Sequence, residues 1–156
     1  VAGSASIARR ETITAFFALL GLATMVSPWL WAPLLQRFKG GETLAILCAL
    51  LAIATALPVI APSAPVAFVS GALFGGVMLS VVASTTALVR HNLPESAWSA
   101  GISAFTIVFA LGQIVGPSLV GRLSDGAAGL RGGFAVSAIV LALGAVLALF
   151  QRPVRR

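Results

Sequence analysis

The sequence predicts an all-α membrane protein of five transmembrane helices, and three observations carry that reading. Hydrophobic residues make up 59% of the 156 and charged ones 9%, with a mean hydropathy of +1.06, more apolar surface than a soluble domain of this length can bury. The apolar residues fall into runs long enough to cross the hydrocarbon core, which takes about 20 residues at a rise of about 1.5 Å each. The charges lie in short polar connections between those runs or at the two ends of the chain.

The first run, Thr12 to Gln36, lies between Glu11 and Arg37 without a charge and is a complete span. Pro28 falls in its second half, where a ring without an N–H favours a kink. Trp29 and Trp31 sit about two turns from Arg37, near the depth at which indoles anchor at headgroups. A polar loop follows, Arg37 to Thr43, with Lys39, Gly40, Gly41 and Glu42. The next uncharged stretch reaches Val89 and is long enough for two spans. Prolines 58, 62 and 65 divide it, since a helix interior does not tolerate three together, giving helices over about 43–60 and 66–89. The connection Arg90 to Glu95 comes next, with Pro94 and Glu95 suited to a helix's first turn. The fourth span covers 96–121, marked at its start by Trp98. A loop with Asp125, Gly126 and Gly129 leads to the fifth, 132–151, and the chain runs out in a basic tail, Gln151 to Arg156.

Ten Lys and Arg against four acids give a formal charge of +6, distributed one to three residues at a time between apolar runs. No basic face carries interleaved aromatics, so nucleic acid is not an expected partner; the lipid bilayer is. If the helices alternate, Arg37, Lys39, Arg90, Arg152, Arg155 and Arg156 share one side and Arg9, Arg10, Arg122 and Arg131 the other. The positive-inside rule then places the C-terminus in the cytoplasm. The single cysteine, Cys48, lies in an apolar run, so neither a disulfide framework nor a metal cluster is expected, and no cofactor. The first residues lack a basic segment followed by an apolar core and are not a signal peptide. With Val1 in first place, the chain reads as part of a longer protein.

The fourth span holds the most distinctive chemistry. Gly112 and Gly116 form a GxxxG pair followed at once by Pro117, which permits close approach of a neighbouring backbone and a bend. Gln113 between them has two donors and two acceptors that lipid tails cannot satisfy, so it is expected to face protein or a water-filled cavity. Phe105, Phe109 and Gln113 step by four and share a face. Thr24 and Ser27 on the first span and Phe74 and Met78 on the third complete the mid-depth candidates for a solute path. Each has a plainer reading: hydroxyls bonded within their own helix, and Phe or Met as packing.

At this point the chain resembles the C-terminal half of a major facilitator superfamily transporter, most closely the YbfB/YjiJ-like branch. In that superfamily the loop after the second helix of each half tends to read G-x-L-x-D-R-x-G-R. Here Ala32 to Gly40 keeps Leu34 and Arg37, carries Gln36 where the acid should stand, and displaces the glycine by one. Similar blocks are FALLG at 17–21, TTALVRHNLP at 85–94, SAFTIVFALGQIVGP at 103–117 and GRLSD at Gly121 to Asp125. The exit from the first span also echoes that from the fourth, as two inverted groups of three helices would produce, the first member lying upstream of Val1. The resemblance implies a fragment of a twelve-helix fold built from inverted three-helix repeats, without its N-terminal half. It implies alternating-access transport of a small solute in a bacterial inner membrane.

No acid, base or histidine lies at membrane depth in the apolar spans, so a proton relay is not built from them alone and an apolar or weakly polar solute suits them best. Catalysis is not expected. A hydrolase built on Ser70 would need His91 as its base, about 30 Å further along the same helix. Two other readings stay open at the level of sequence: a membrane scaffold or assembly subunit, and a half-size transporter working as a dimer.

Overall fold

The computed structural model describes residues 2–125 and 129–153. Five long helices account for most of them: α1 (Ala2–Arg37), α2 (Glu42–Ile60), α3 (Ala64–Asn92), α4 (Trp98–Ser124) and α5 (Gly129–Leu149), with a single 3-10 turn, Glu95–Ala97, leading into α4. No β-strand occurs among the described residues. All five helices are long and apolar enough to cross a bilayer, and the protein is an integral membrane protein. Gly126 and the tail beyond Pro153 lie outside the described residues.

The helices end where the chain chemistry requires. Pro62 and Pro65 flank the α2–α3 turn, with Pro65 in the first turn of α3, where its missing N–H removes nothing. Pro58 is accommodated inside α2, and Pro28 and Pro33 inside α1, so these prolines do not end their helices. Gly129 opens α5 at φ +56°, a conformation that glycine adopts without strain.

Two pairs of helices form the body. α1 lies parallel to α3, with Phe16 against Gly71, Leu20 against Gly75 and Ser27 against Ser80. α2 lies antiparallel to α5, and α2 also packs on α3, so the two pairs join there. The core sits at that junction: Leu47, Leu51 and Val77 are fully enclosed, with Trp31, Leu34, Phe74, Val81 and Leu141 packed around them. α4 is the peripheral member and touches only α3 and α5 to any extent.

One end of the bundle is tied through the α1–α2 loop. Asn92 Nδ2 at the end of α3 donates to the Lys39 carbonyl (2.8 Å), and the Gly41 N–H donates to the Gln151 carbonyl after α5 (3.0 Å). A Cβ at Gly41 would run into the Ala148 carbonyl, so only glycine lets α5 approach so closely. These bonds bring the 38–41 loop, the end of α3 and the end of α5 to the same side.

Candidate functional site

Hydroxyls, aromatic rings and open space converge between α3 and α4. A cleft of about 420 Å³ is walled by Val81, Val82, Thr85 and Thr86 from α3 and by Ile102, Phe105, Thr106, Val108 and Phe109 from α4. It exists because α4 meets α3 closely only near the Leu93–Trp98 connection. There Trp98 Nε1 donates to the Leu93 carbonyl (3.1 Å), and the Arg90 guanidinium lies 5.2 Å from the centre of the Trp98 ring. Beyond that point the helices diverge and Phe105 and Phe109 stand in the gap.

The polar content of the cleft is three threonines. Thr85 donates to the Val82 carbonyl (2.8 Å) and Thr106 to the Ile102 carbonyl (2.9 Å), so both protons are used within their own helices while the oxygens stay able to accept. An uncharged solute would meet two aromatic rings, an aliphatic wall and a few hydroxyls. Its wall residues are centred about 8 Å from the middles of α3 and α4, toward the Leu93 end.

A second polar feature is closed. Ser27 and Ser80 are fully buried between α1 and α3, their hydroxyls 2.7 Å apart, and Ser80 also reaches the Ser27 carbonyl at 3.2 Å. Trp31 Nε1 donates to the Gly76 carbonyl (2.6 Å). Ser70 on α3 donates to the Ala54 carbonyl of α2 (2.7 Å), so this hydroxyl binds one helix to the next. In hydrocarbon such bonds hold helices in register, each contributing about 0.6 kcal/mol on average.

The structure sorts the sequence candidates into separate groups. Phe105 and Phe109 enter the cleft; Gln113, one turn further along α4, does not line it and is exposed. Gly112 and Gly116 have no atom within 4 Å of a Cβ built on them, so none of the other four helices is pressed into their groove, and Pro117 is exposed on the same unbroken helix. Phe74 packs on the core, Met78 is 39% exposed, and Thr24 donates to the Leu20 carbonyl (2.8 Å) of its own helix. Ser27 departs from the plainer sequence reading: its partner is on α3, not on α1. Trp31 likewise points into the bundle, whereas Trp29 is 76% exposed.

The loop residues occupy the tied end. Leu34 packs on the core and its carbonyl accepts from Thr43 (3.1 Å), while Gln36 and Arg37 are exposed, with Arg37 5.7 Å from the Phe38 ring centre. Gly121 and Asp125 close α4, the Asp125 N–H donating to the Gly121 carbonyl (3.0 Å). Sequence reasoning did not single out Thr85, Thr86, Thr106 or Ser80 as site or seam residues. The signal for Ser80 was available in the run of small residues Gly71, Gly75, Gly76, Ser80 and Ser84 along one helix.

Among the described residues no group of three or more His, Cys, Asp or Glu side chains could hold a metal ion. Five apolar helices, fastened by buried hydroxyl bonds and bordering a solute-sized cleft lined by threonines and phenylalanines, define a multi-pass membrane protein of the transporter class. The chain belongs to the family described as "Uncharacterised MFS-type transporter YbfB", whose pattern matches residues 4–149. No match is found among curated proteins or among solved structures. Membership makes this a non-enzymatic protein with a role in secondary transport.

Proposed function

We propose that this chain carries a small apolar or weakly polar solute across a bacterial inner membrane by alternating access, with its C-terminus in the cytoplasm. The α3–α4 cleft is then one wall of the path, and the open face of α4 with Gly112, Gln113 and Gly116 meets further helices of the complete transporter. The observation that carries this reading is the cleft itself. The α1–α3 seam is closed by Ser27, Ser80 and the Gly75 contact, whereas between α3 and α4 two phenylalanines and three threonines border empty space. Its walls offer neither a fixed charge nor an ion pair, so a highly charged solute would leave its own charge unpaired there.

The scaffold reading draws on the closed α1–α3 seam and requires no cleft. Counterflow in proteoliposomes of the full-length transporter, with a panel of uncharged aromatic and aliphatic solutes, separates the two. The carrier reading expects protein-dependent exchange of at least one solute. Phe109→Ala and Thr86→Val should lower that exchange, the latter by about 2- to 12-fold if one hydroxyl contact of about 0.5–1.5 kcal/mol is lost. Exchange unaffected by both substitutions would remove the cleft from the path, and no exchange of any panel member would favour the scaffold.

A further inference from the structure

A separate groove, with a volume of about 470 Å³, lies between α2 and α5. Ala45, Ala49 and Ala52 from α2 and Ala142, Ala145 and Leu149 from α5 line it, and no hydroxyl, amide or charge enters it. Such a lining does not suit a solute that must be recognised. It suits an acyl chain, to which it offers shape and dispersion contact.

What selects the occupant is the chemistry at one end. The groove ends at Ala45 and Leu149, about one turn from the bond between the Gly41 N–H and the Gln151 carbonyl. Arg152 follows directly and is exposed. Lys39, also exposed, lies two residues before Gly41, and its backbone carbonyl is held by Asn92. Glu42, the acid of this loop, turns a carboxylate oxygen into the enclosed space over Gly40 and does not line the groove. An apolar slot thus opens beside two exposed cations, one with its carbonyl held by Asn92 and the other next to the bonded Gln151, and the sequence continues into Arg155 and Arg156.

We propose that the α2–α5 groove with its Lys39 and Arg152 mouth is a binding site for an anionic phospholipid, one acyl chain in the groove and the phosphate at the two cations. Basic sites at the ends of transmembrane helices select anionic headgroups, at about fivefold per Lys or Arg. The acyl chain adds position more than preference, because it leaves one apolar environment for another. A second copy of the chain is the poorer occupant. A twofold along the membrane normal would bring its own Lys39 and Arg152 to the same mouth, like charge against like.

Native mass spectrometry of the full-length protein in mild detergent tests this, with equimolar phosphatidylglycerol and phosphatidylcholine of identical chains. Phosphatidylglycerol should be retained about 25-fold over phosphatidylcholine. Lys39→Gln with Arg152→Gln, both exposed and outside the seams, should lower that preference about 25-fold. Ala49→Phe, which fills the groove from its exposed side, should reduce retention of phosphatidylglycerol while both cations remain. Equal retention of the two lipids, or a preference untouched by the double substitution, overturns the site. A dimer mass that Ala49→Phe abolishes would assign the groove to a second copy instead.

Discussion

Replacing Gly75 by alanine forces α1 and α3 apart, whereas the same change at Gly76, one residue on, does not. A Cβ at Gly75 would lie 2.6 Å from the Leu20 carbonyl oxygen and 3.0 Å from Thr24 Oγ1, while one at Gly76 meets nothing within 4 Å. The Leu20 oxygen is backbone and cannot rotate away. Restoring an ordinary 3.4 Å contact takes about 0.8 Å of helix separation, the difference between 3.4 and 2.6 Å. That movement stretches the Ser27–Ser80 bond from 2.7 Å to about 3.5 Å, the limit of a hydrogen bond. Overpacking of this kind costs about 1–3 kcal/mol. Loss of the interhelical bond adds about 0.6 kcal/mol, and alanine's better helix propensity returns about 1 kcal/mol. Gly75→Ala should therefore lose about 0.6–2.6 kcal/mol, and Gly76→Ala, which gains propensity without the clash, should lose nothing. Reversible unfolding of both variants in mixed micelles, read by tryptophan fluorescence, measures the gap. Equal stabilities, or a Gly76→Ala protein less stable than Gly75→Ala, would refute the close approach of α1 to α3 at this point.

Two further outcomes can be checked. Gly116→Leu places a large side chain where no atom lies within 4 Å of the added Cβ. If this face of α4 meets further helices, expression, melting temperature and transport of the full-length protein fall; if all three hold, the groove packs against nothing. Single cysteines at Lys39 and Val154 should both resist a membrane-impermeant thiol reagent in intact cells and react after permeabilisation, and labelling of both in intact cells would reverse the orientation.

Much of the fold was legible because bilayer physics acts on composition. A span must be apolar for about 20 residues whatever its neighbours are, so the five helices could be read from runs and prolines alone. The same physics made Gln113 conspicuous, because an amide stands out among aliphatics. It did not reveal that Phe105 and Phe109 enter a cleft that Gln113 does not line, since a shared helix face says nothing of where the facing helix diverges. Besides Gly129 and Gly133 at the start of α5, GxxxG spacing occurs at Gly71 and Gly75 and at Gly112 and Gly116, and spacing alone does not rank these two. Only the first has a helix pressed into it here.

By itself, then, the sequence determined that the chain lives in a membrane, how many times it crosses, where its polar turns lie and which family it resembles. These follow from single-residue transfer free energies and local backbone chemistry, which need no partner to be evaluated. The tertiary structure alone decided which helices pair, that Ser27 bonds Ser80 rather than its own turn, that Trp31 enters the bundle, and that Thr85, Thr86 and Thr106 border a cleft. Those depend on contacts between residues some 20 to 50 positions apart. In an apolar medium many helix faces are equally greasy, so it is small residues and a few hydroxyl bonds that set which faces meet.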